Sequence, residues 1–536
     1  MKIFIWFFII LGGLWTLRTI KEILFYLYLW QLKEYHLKRF IDHFRTIKGK
    51  SLIWNWKYLV KLILLPGILI APLVGAAILA LFYIAEVFLF LKKIYQKKTK
   101  YPVFTKKTIL LTIIALALPF LFLVLLYQFS NPFGIFAFSI LVFDILVPLV
   151  VTLLIFSIEP LVYLRKRQII QKARKKRKEF KSLKVVGITG SYGKTSTKEI
   201  LATLLEDKFK VLKTTEHINS EIGIAQLILN KLNSKHEVFV CEIGAYRKGT
   251  IKLVSSIVKP KIGIITGINQ QHLATFGSQE NIIDGKLELV KNLPNNGVAI
   301  LNLDSPIIKE IKGKINSYNP NLKDIVFTSI KEKADLWADD IQIKKKELSF
   351  KLNTKKGKSI LIDLNIAGRQ VIENILTAAY CAMEMGMEIE EIKKVISKIE
   401  KKLVGLDVIK REGKLDIIDS SYSSNPAGAL ADLDHLKKWE GKRIIILRPL
   451  IELGETSKEI HKKIGQKIGE VCDLAVLVTK DHLEDIKNGA AKNGLDPDKI
   501  KTFDKITKKD IKFDQGAILL EGRIPEKIKK DLNLLK

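Results

Sequence analysis

The sequence predicts an α/β protein carried behind a helical membrane region. Three observations lead there. Long apolar runs are confined to roughly the first 165 residues. A β-rich run, a glycine turn and a helical pattern then follow one another over 184–206. From there to the C-terminus, short β-type runs alternate with helical patterns, which reads as mostly parallel sheet. A length of 536 residues allows roughly three or four domains at ~150 residues each. The balance is 88 Lys+Arg against 55 Asp+Glu, a formal +33, with 48% hydrophobic and 27% charged residues. A mean hydropathy of +0.16 is high for so many charges and requires that apolar and charged residues be segregated. Cys241, Cys381 and Cys472 lie far apart with no CxxC spacing. This excludes a disulfide scaffold and a cysteine zinc site, and suits a reducing compartment.

The membrane elements come first in the chain. Residues 62–91 carry one charge, Glu86; residues 108–127 carry none; residues 134–158 carry only Asp144. Each is long enough for one crossing of a ~30 Å hydrocarbon core. Residues 3–17 are apolar, but Arg18, Lys21 and Glu22 precede a second apolar stretch, so this segment is either a tilted span or an interfacial helix. No cleavable signal is read here, since more membrane segments follow. The reading is about four spans over 1–164, then a basic linker over 165–182. The loop 92–107 has seven lysines and the run 165–178 has nine basic residues, which marks both as cytoplasmic. Residues 31–61 are basic too, and a four-span count sets them on the opposite face. The 165–178 run fits a flank lying on anionic lipid better than a nucleic-acid contact, because it adjoins a span. Asp144 is either functional or a hydrogen-bonded packing residue.

The second half opens on a phosphate loop. Residues 184–197, KVVGITGSYGKTST, run strand, glycine turn, helix, the context that such a loop needs. Gly190, Ser191 and Gly193 let backbone amides approach phosphate oxygens at a helix N-terminus. Lys194 reaches the β- and γ-phosphates, the Thr195 hydroxyl meets Mg²⁺, and Ser196 completes the turn. A Mg²⁺ ion on the nucleotide phosphates needs further ligands, which should converge on this loop from later strand ends. Two later strands end in suitable residues: EVFVCEIG in Glu242, and IGIITGINQQH in His272. NIIDGKLELV then sets Lys286 on a helix.

The T-G-x-x-G-K-T spacing, with CEIGAYRKGTI, ITGINQQHLATFGS and DGKLEL following in order, resembles the Mur ligase family, which builds the peptide of bacterial cell walls. Within it the motifs are most like the member that adds D-alanyl-D-alanine to a muropeptide. The resemblance implies an ATP-dependent carbon–nitrogen ligase. It implies one or two Mg²⁺ ions at Thr195, Glu242, His272 and Lys286, with Lys286 carbamylated by CO₂. Lys194, His272 and Lys286 become the catalytic set. Asn219, in TTEHINSEIGIA, becomes a substrate residue; His217 in the same segment is a ligand or an exposed loop histidine. Asn302 and Asn374 fall on the adenine side, where Gln370 stands in for a family histidine. In the run 417–436, Asp419, Ser421, Tyr422, Asn425 and Pro426 match and Ser420 replaces an aspartate. Asp419, Tyr422 and Asn425 are thus assigned to the nucleotide. Leu406, after Gly405, replaces an arginine whose charge Lys410 or Arg411 would have to supply. Glu452 and His461 are assigned to the incoming amine.

The resemblance covers 183–536. It implies a central ATP-binding domain over 183–404 and a smaller Rossmann-like α/β domain over 405–536, both cytoplasmic at a multi-pass cell-membrane anchor. The family's usual N-terminal domain for the uridine nucleotide is replaced by apolar segments. The expected partners are a UDP-linked or lipid-linked muropeptide, an amino acid or dipeptide, membrane lipids and other wall-synthesis membrane proteins, with no nucleic acid. Two alternatives stand beside this: the same chemistry on a poly-γ-glutamate or archaeal-type wall peptide, and a degenerate ligase serving as a membrane scaffold.

Overall fold

The structure is a computed structural model. It describes residues 2–129, 133–215, 218–399, 406–409, 415–421, 425–511, 513–532 and 534. The chain forms two compact units, Met1–Arg165 and Lys166–Lys536.

The first unit is helical. Its long helices are α1 (Lys2–Leu32), α2 (Trp56–Ile70), α3 (Pro72–Tyr95), α4 (Lys106–Phe129) and α5 (Phe133–Glu179), the last continuing into the second unit. Four segments, Ile47–Ile70, Pro72–Tyr95, Lys106–Gln128 and Phe133–Glu179, are long and apolar enough to cross a membrane. Side chains such as Ile70, Leu81, Phe88 and Phe120 stay exposed, as a hydrocarbon solvent permits.

One expectation is corrected here. Residues 62–91 are not a single span but the arms of a helical hairpin. Proline disfavours helix at the residue before it, and Ala71 leaves the helix at φ −135°, ψ 77° with Pro72 opening α3. At the turn the helices approach closely: a Cβ on Gly75 would lie 2.8 Å from the Ile68 Cα. Further along, Lys57 of α2 pairs with Glu86 of α3. Asp144 is a packing residue. It pairs with Lys61 at 3.1 Å and with Arg18, which itself holds Glu86 at 2.8 Å. These buried charges tie α1, α2, α3 and α5 together.

The second unit holds two sheets. The nine-stranded sheet runs in the order β2-β3-β1-β4-β5-β6-β7-β8-β9. Its strands are β1 (Lys184–Thr189), β2 (Val211–Lys213), β3 (Val238–Glu242), β4 (Ile262–Ile265), β5 (Val298–Asn302), β6 (Asp324–Ser329), β7 (Leu336–Ile343), β8 (Leu348–Thr354) and β9 (Ser359–Leu364). Every pairing from β2 through β7 is parallel, and β7–β8 and β8–β9 are antiparallel. Strands β1, β3, β4 and β5 are apolar apart from Lys184, Thr189, Glu242 and Asn302 at their ends, because both faces are covered. Val186 and Ile188 pack into one core and Val185 into the other. The parallel arrangement puts the carboxyl ends of β1, β3, β4 and β5 along one edge, where open α/β sheets bind ligands.

The smaller sheet runs β10-β11-β15-β12-β13-β14, with β10 (Asp407–Ile409), β11 (Asp416–Ser420), β12 (Lys442–Leu447), β13 (Leu474–Leu477), β14 (Ile500–Thr502) and β15 (Gly516–Glu521). Only β10–β11 is antiparallel.

Candidate nucleotide and metal site

The loop after β1 is shaped by its neighbours. Gly193 is the N-cap of α6 (Lys194–Glu206) at φ 75°, a left-handed value that favours glycine. A Cβ there would also lie 2.5 Å from the Asn374 Oδ1. The Ser191 amide donates to the Gly267 carbonyl at 2.7 Å, and the Lys194 ammonium donates to the Gly190 carbonyl at 2.9 Å. Burial lowers the Lys194 pKa, against the opposing pull of Glu242. Ser196 is half-buried in the same first turn.

Glu242, at the end of β3, is the hub. The Thr195 hydroxyl donates to its Oε2 at 2.9 Å, and the Asn219 amide donates to its Oε1 at 3.2 Å. Lys198 lies 3.8 Å away, fully buried, and pairs with Glu199 at 2.9 Å. Sequence reasoning missed Lys198. The signal was its place one helical turn past Lys194 and Thr195, on the face that meets β3.

Lys286 sits on α7 (Gln279–Lys291) and is 1% exposed. Among the described residues it has no ion pair, and its ammonium lies 5.9 Å from the Phe276 ring centre. Burial lowers its pKa far below the usual lysine value, and the neighbouring Lys194 cation lowers it further. His272 stands at φ 69° and bonds through Nδ1 to Glu452, itself at φ 65°, over 2.8 Å. Left-handed backbone at two non-glycine residues is locally costly; it is held where the two sheets' loops meet. The Tyr246 ring stands edge-on to His272, 4.8 Å between centres. Burial lowers the His272 pKa, the Glu452 carboxylate raises it, and Lys286 and Lys194 lower it again. Lys194 therefore acts electrostatically on Lys286 and His272 and is acted on by Glu242, and Lys286 also acts on His272. Among the described residues no group of three or more His, Cys, Asp or Glu side chains is gathered for a metal.

At the other end of the loop, Asn374 lies on α8 (Gln370–Glu384) and accepts from the Thr197 hydroxyl at 3.2 Å. Asn302 donates to the Thr266 carbonyl and to Glu373 and accepts from the Asp304 amide. Its polar atoms are thus taken up in joining β4, β5 and α8. Glu373 was not foreseen; burial and the Asp304 carboxylate push it up to about 7. Asp304 itself is held by Ser329 and the Ile330 amide. Lys331 and Arg369 are the cations that act on this corner.

The comparisons bear on this edge of the sheet. A family model, the Mur ligase middle domain, matches residues 188–382, from the phosphate loop through α8. Residues 188–382 are a Mur ligase middle domain. The chain is 32% identical over 309 residues to a UDP-N-acetylmuramoyl-tripeptide--D-alanyl-D-alanine ligase of Buchnera aphidicola, covering 55% of this chain and 66% of that one. A crystal structure of MurF from Acinetobacter baumannii superposes with TM-score 0.61 at 25% identity, covering 69% of this chain and 81% of that one. MurF from Thermotoga maritima in complex with ADP gives 0.58 at 25% identity, covering 69% and 84%. The chain spans less than two thirds of the length of the Buchnera relative, and 61% of its Escherichia coli counterpart. The α/β half thus has the Mur ligase fold, and the N-terminal helices are extra to these relatives.

Beyond the Mur ligase middle domain, the second sheet brings some assigned residues to the site and uses others for itself. Glu452 reaches His272. His461 does not face outward: fully buried, it accepts from the Leu450 amide through Nε2 at 3.0 Å and bonds the Ser457 carbonyl through Nδ1 at 2.6 Å. It therefore positions the 448–454 loop and has no ring nitrogen left for a substrate. Asn425 caps α9 (Pro426–Leu436) by accepting from the Gly428 amide. Asp419 accepts from Lys529 at 2.9 Å and from the Ser421 amide. Burial raises its pKa, but those bonds outweigh burial and hold it below its ordinary value. Leu406, where an arginine was expected, is buried, donates its amide to the Ala367 carbonyl and packs by Gly368. Tyr422, Gly405, Lys410, Arg411 and His217 lie outside the described residues.

Ser420, the replaced aspartate, donates to the Asp432 carboxyl at 2.5 Å. Its strand partner is Glu521. Burial raises both carboxyls, Glu521 far above the usual range, and each carboxyl bears on the other. Because the folded pair holds protons that the unfolded chain releases, its stabilising contribution is complete below the unfolded carboxylate pKa. It is lost as pH rises through the raised folded values. The pair's contribution to the melting temperature should therefore fall from pH 5 to pH 8. Glu521→Gln should flatten that fall and stabilise the protein at pH 8 by about 1–3 kcal/mol, as scanning calorimetry of the full chain at both pH values would show.

Proposed function

We propose that this chain is an ATP-dependent amide ligase of cell-wall peptide assembly. It would add D-alanyl-D-alanine to the terminal carboxylate of an N-acetylmuramoyl-tripeptide. The observation that supports it best is the gathering of Lys194, Thr195, Glu242, His272 and Lys286 around one phosphate loop at the carboxyl edge of a parallel sheet. The relatives' printed names supply the substrates.

The chain's own residues divide the work. Loop amides and Lys194 hold the phosphates of ATP. The oxygen donors Thr195 and Glu242, already side by side, suit a hard cation and would hold Mg²⁺, with His272 at a second position. Bound there, Mg²⁺ would offset charge on the γ-phosphoryl group and the attacking carboxylate. Asn219 fixes the second oxygen of Glu242, and Lys198 sets a buried positive charge 3.8 Å from this carboxylate. The Lys286 amine, buried and among the described residues without an ion pair, is suited to form a carbamate with CO₂, which would turn a cation beside Lys194 into an anion. The substrate carboxylate takes the γ-phosphoryl group and releases ADP. The amine then displaces phosphate from the acyl phosphate, forming the amide.

The membrane reading follows from the helical hairpin. With α2 and α3 antiparallel, the basic residues before α2 and the loop 92–107 fall on one face. That removes the conflict with the positive-inside tendency that a single span over 62–91 creates. This supports the reading of a multi-pass membrane anchor, with the ligase half in the cytoplasm and the acceptor either UDP-linked or lipid-linked.

The test is ADP release by the full-length protein in detergent, with Mg²⁺, bicarbonate, UDP-N-acetylmuramoyl-tripeptide and D-alanyl-D-alanine. Release that requires both substrates is expected. ATP binding without release from either a UDP-linked or a lipid-linked acceptor would overturn the substrate assignment. ¹³C NMR with labelled bicarbonate reads the Lys286 carbamate directly, as a resonance absent from Lys286→Ala.

A further inference from the structure

The first unit contains a cavity of about 700 Å³ bounded by α1, α2, α3 and the segment after α3. Eight cationic side chains line it. Arg18 and Lys61 are buried, Lys21 and Lys57 half-buried, and Lys48, Lys93, Lys98 and Lys100 exposed. Two carboxylates, Glu22 and Glu86, line it as well, and Asp144 stands behind Arg18 and Lys61. The acids are already engaged. Glu86 pairs with Arg18 and Lys57, Glu22 with Arg18 and Lys21, and Asp144 with Arg18 and Lys61. Among the described residues Lys48, Lys93, Lys98 and Lys100 have no acidic partner. Lys98 donates to Gln96, and Lys100 lies over the Tyr28 ring. Eight cations against three acids leave an excess of five along this cavity. Like charges gathered so closely repel, and a polyanion relieves that repulsion.

The remaining wall says what kind of polyanion. Leu24, Phe25, Leu32, Phe90 and Ile94 line the same cavity, and Leu32 and Ile94 remain about half exposed. A free inorganic anion has no use for such a surface, whereas a hydrocarbon chain does. Of the exposed lysines, Lys93 lies in the last turn of α3 and Lys98 and Lys100 just follow it, where a span would meet the headgroup region, and Lys48 precedes α2. If α4 and α5 both cross, this end shares a face with Arg165, where the chain leaves the unit. Basic pockets between membrane helices on such a face bind anionic headgroups.

We infer that this cavity binds a lipid bearing a phosphate-type headgroup of about two negative charges, the headgroup among the lysines and the chain against Phe25, Phe90 and Ile94. This goes beyond the ligase reading, and its test does not depend on turnover. Full-length protein in detergent is mixed with dioleoyl phosphatidic acid, dioleoyl phosphatidylcholine or inorganic diphosphate, and retained ligand is counted by native mass spectrometry. Phosphatidic acid is expected to be retained in preference to phosphatidylcholine. Lys93→Gln/Lys98→Gln/Lys100→Gln should weaken that preference about 10–100-fold. Lys92→Gln/Lys97→Gln/Lys106→Gln should leave it unchanged, since it removes the same charge from neighbouring exposed positions outside the cavity. All six lysines are exposed, so both variants fold, and a melting curve shows it. Equal losses in the two variants, or no preference over phosphatidylcholine, would overturn the site. Displacement of phosphatidic acid by inorganic diphosphate at equal concentration would overturn its assignment to a lipid.

Discussion

Lys194→Ala is expected to reduce substrate-dependent ADP release about 10²–10³-fold while the protein melts at the wild-type temperature. Lys194 opens α6, where alanine is at least as good a helix former, and among the described residues its ammonium bonds the Gly190 carbonyl of its own loop alone. Its removal therefore unties little of the fold. What is lost is a half-buried positive charge at the one place where the phosphates' negative charge would collect, with Glu242 and Lys286 close enough to sense it. A charge in such a site stabilises transferring phosphoryl oxygens far more than one in water. Lys194→Arg should not restore the rate, because a planar guanidinium does not replace a compact ammonium in a space bounded by Gly190 and α6. Steady-state ADP release at saturating ATP, beside a thermal melt, decides the matter. Near-wild-type turnover in Lys194→Ala would remove this loop from the chemistry.

Asp144→Ala is expected to destabilise the N-terminal helical unit by about 3–5 kcal/mol. The carboxylate is 1% exposed and faces two buried cations, Lys61 at 3.1 Å and Arg18. Removing it leaves Lys61 buried with no acidic partner and Arg18 with Glu86 and Glu22. An uncompensated buried charge costs far more than the pair contributed. For the same reason the double variant Lys61→Met/Asp144→Met should recover most of the loss, since it removes the charges together and fills the space with flexible apolar chains. Thermal unfolding in one detergent, compared across wild type, single and double variants, reads both effects. A single variant as stable as wild type would mean that the network does not hold the helices.

The phosphate loop was legible because its constraints are local. A strand, two glycines and a lysine before a helix must sit within a few residues of each other, and Gly193 stands at φ 75° as that reading requires. Glu242 was legible for a related reason: in a parallel sheet every strand end arrives at the same edge, so a strand ending in a carboxylate is placed by its register alone. The hairpin in 62–91 was not read, because a run of apolar residues looks the same whether or not the helix breaks. The Pro72 signal was present, but Pro66, inside α2, is equally visible and does not end its helix. His461 was read as facing substrate, and only packing shows both its nitrogens engaged.

The rest depended on partners far apart in the chain. Nothing near Ser420 announces Asp432 and Glu521, and nothing near His272 announces Glu452, 180 residues on. Lys198 and Glu373 look like solvated charges on helices until β3 and β5 close over them. The order of the apolar helical and α/β halves, the phosphate loop and the strand ends that frame it were legible before folding, because hydropathy, glycine dihedrals and strand direction act over short stretches of chain. The tertiary structure alone decided which charges are buried and which partner each one meets, because a charge's energy depends on the dielectric and the counter-charge around it, and both are set by residues that the chain brings together only on folding.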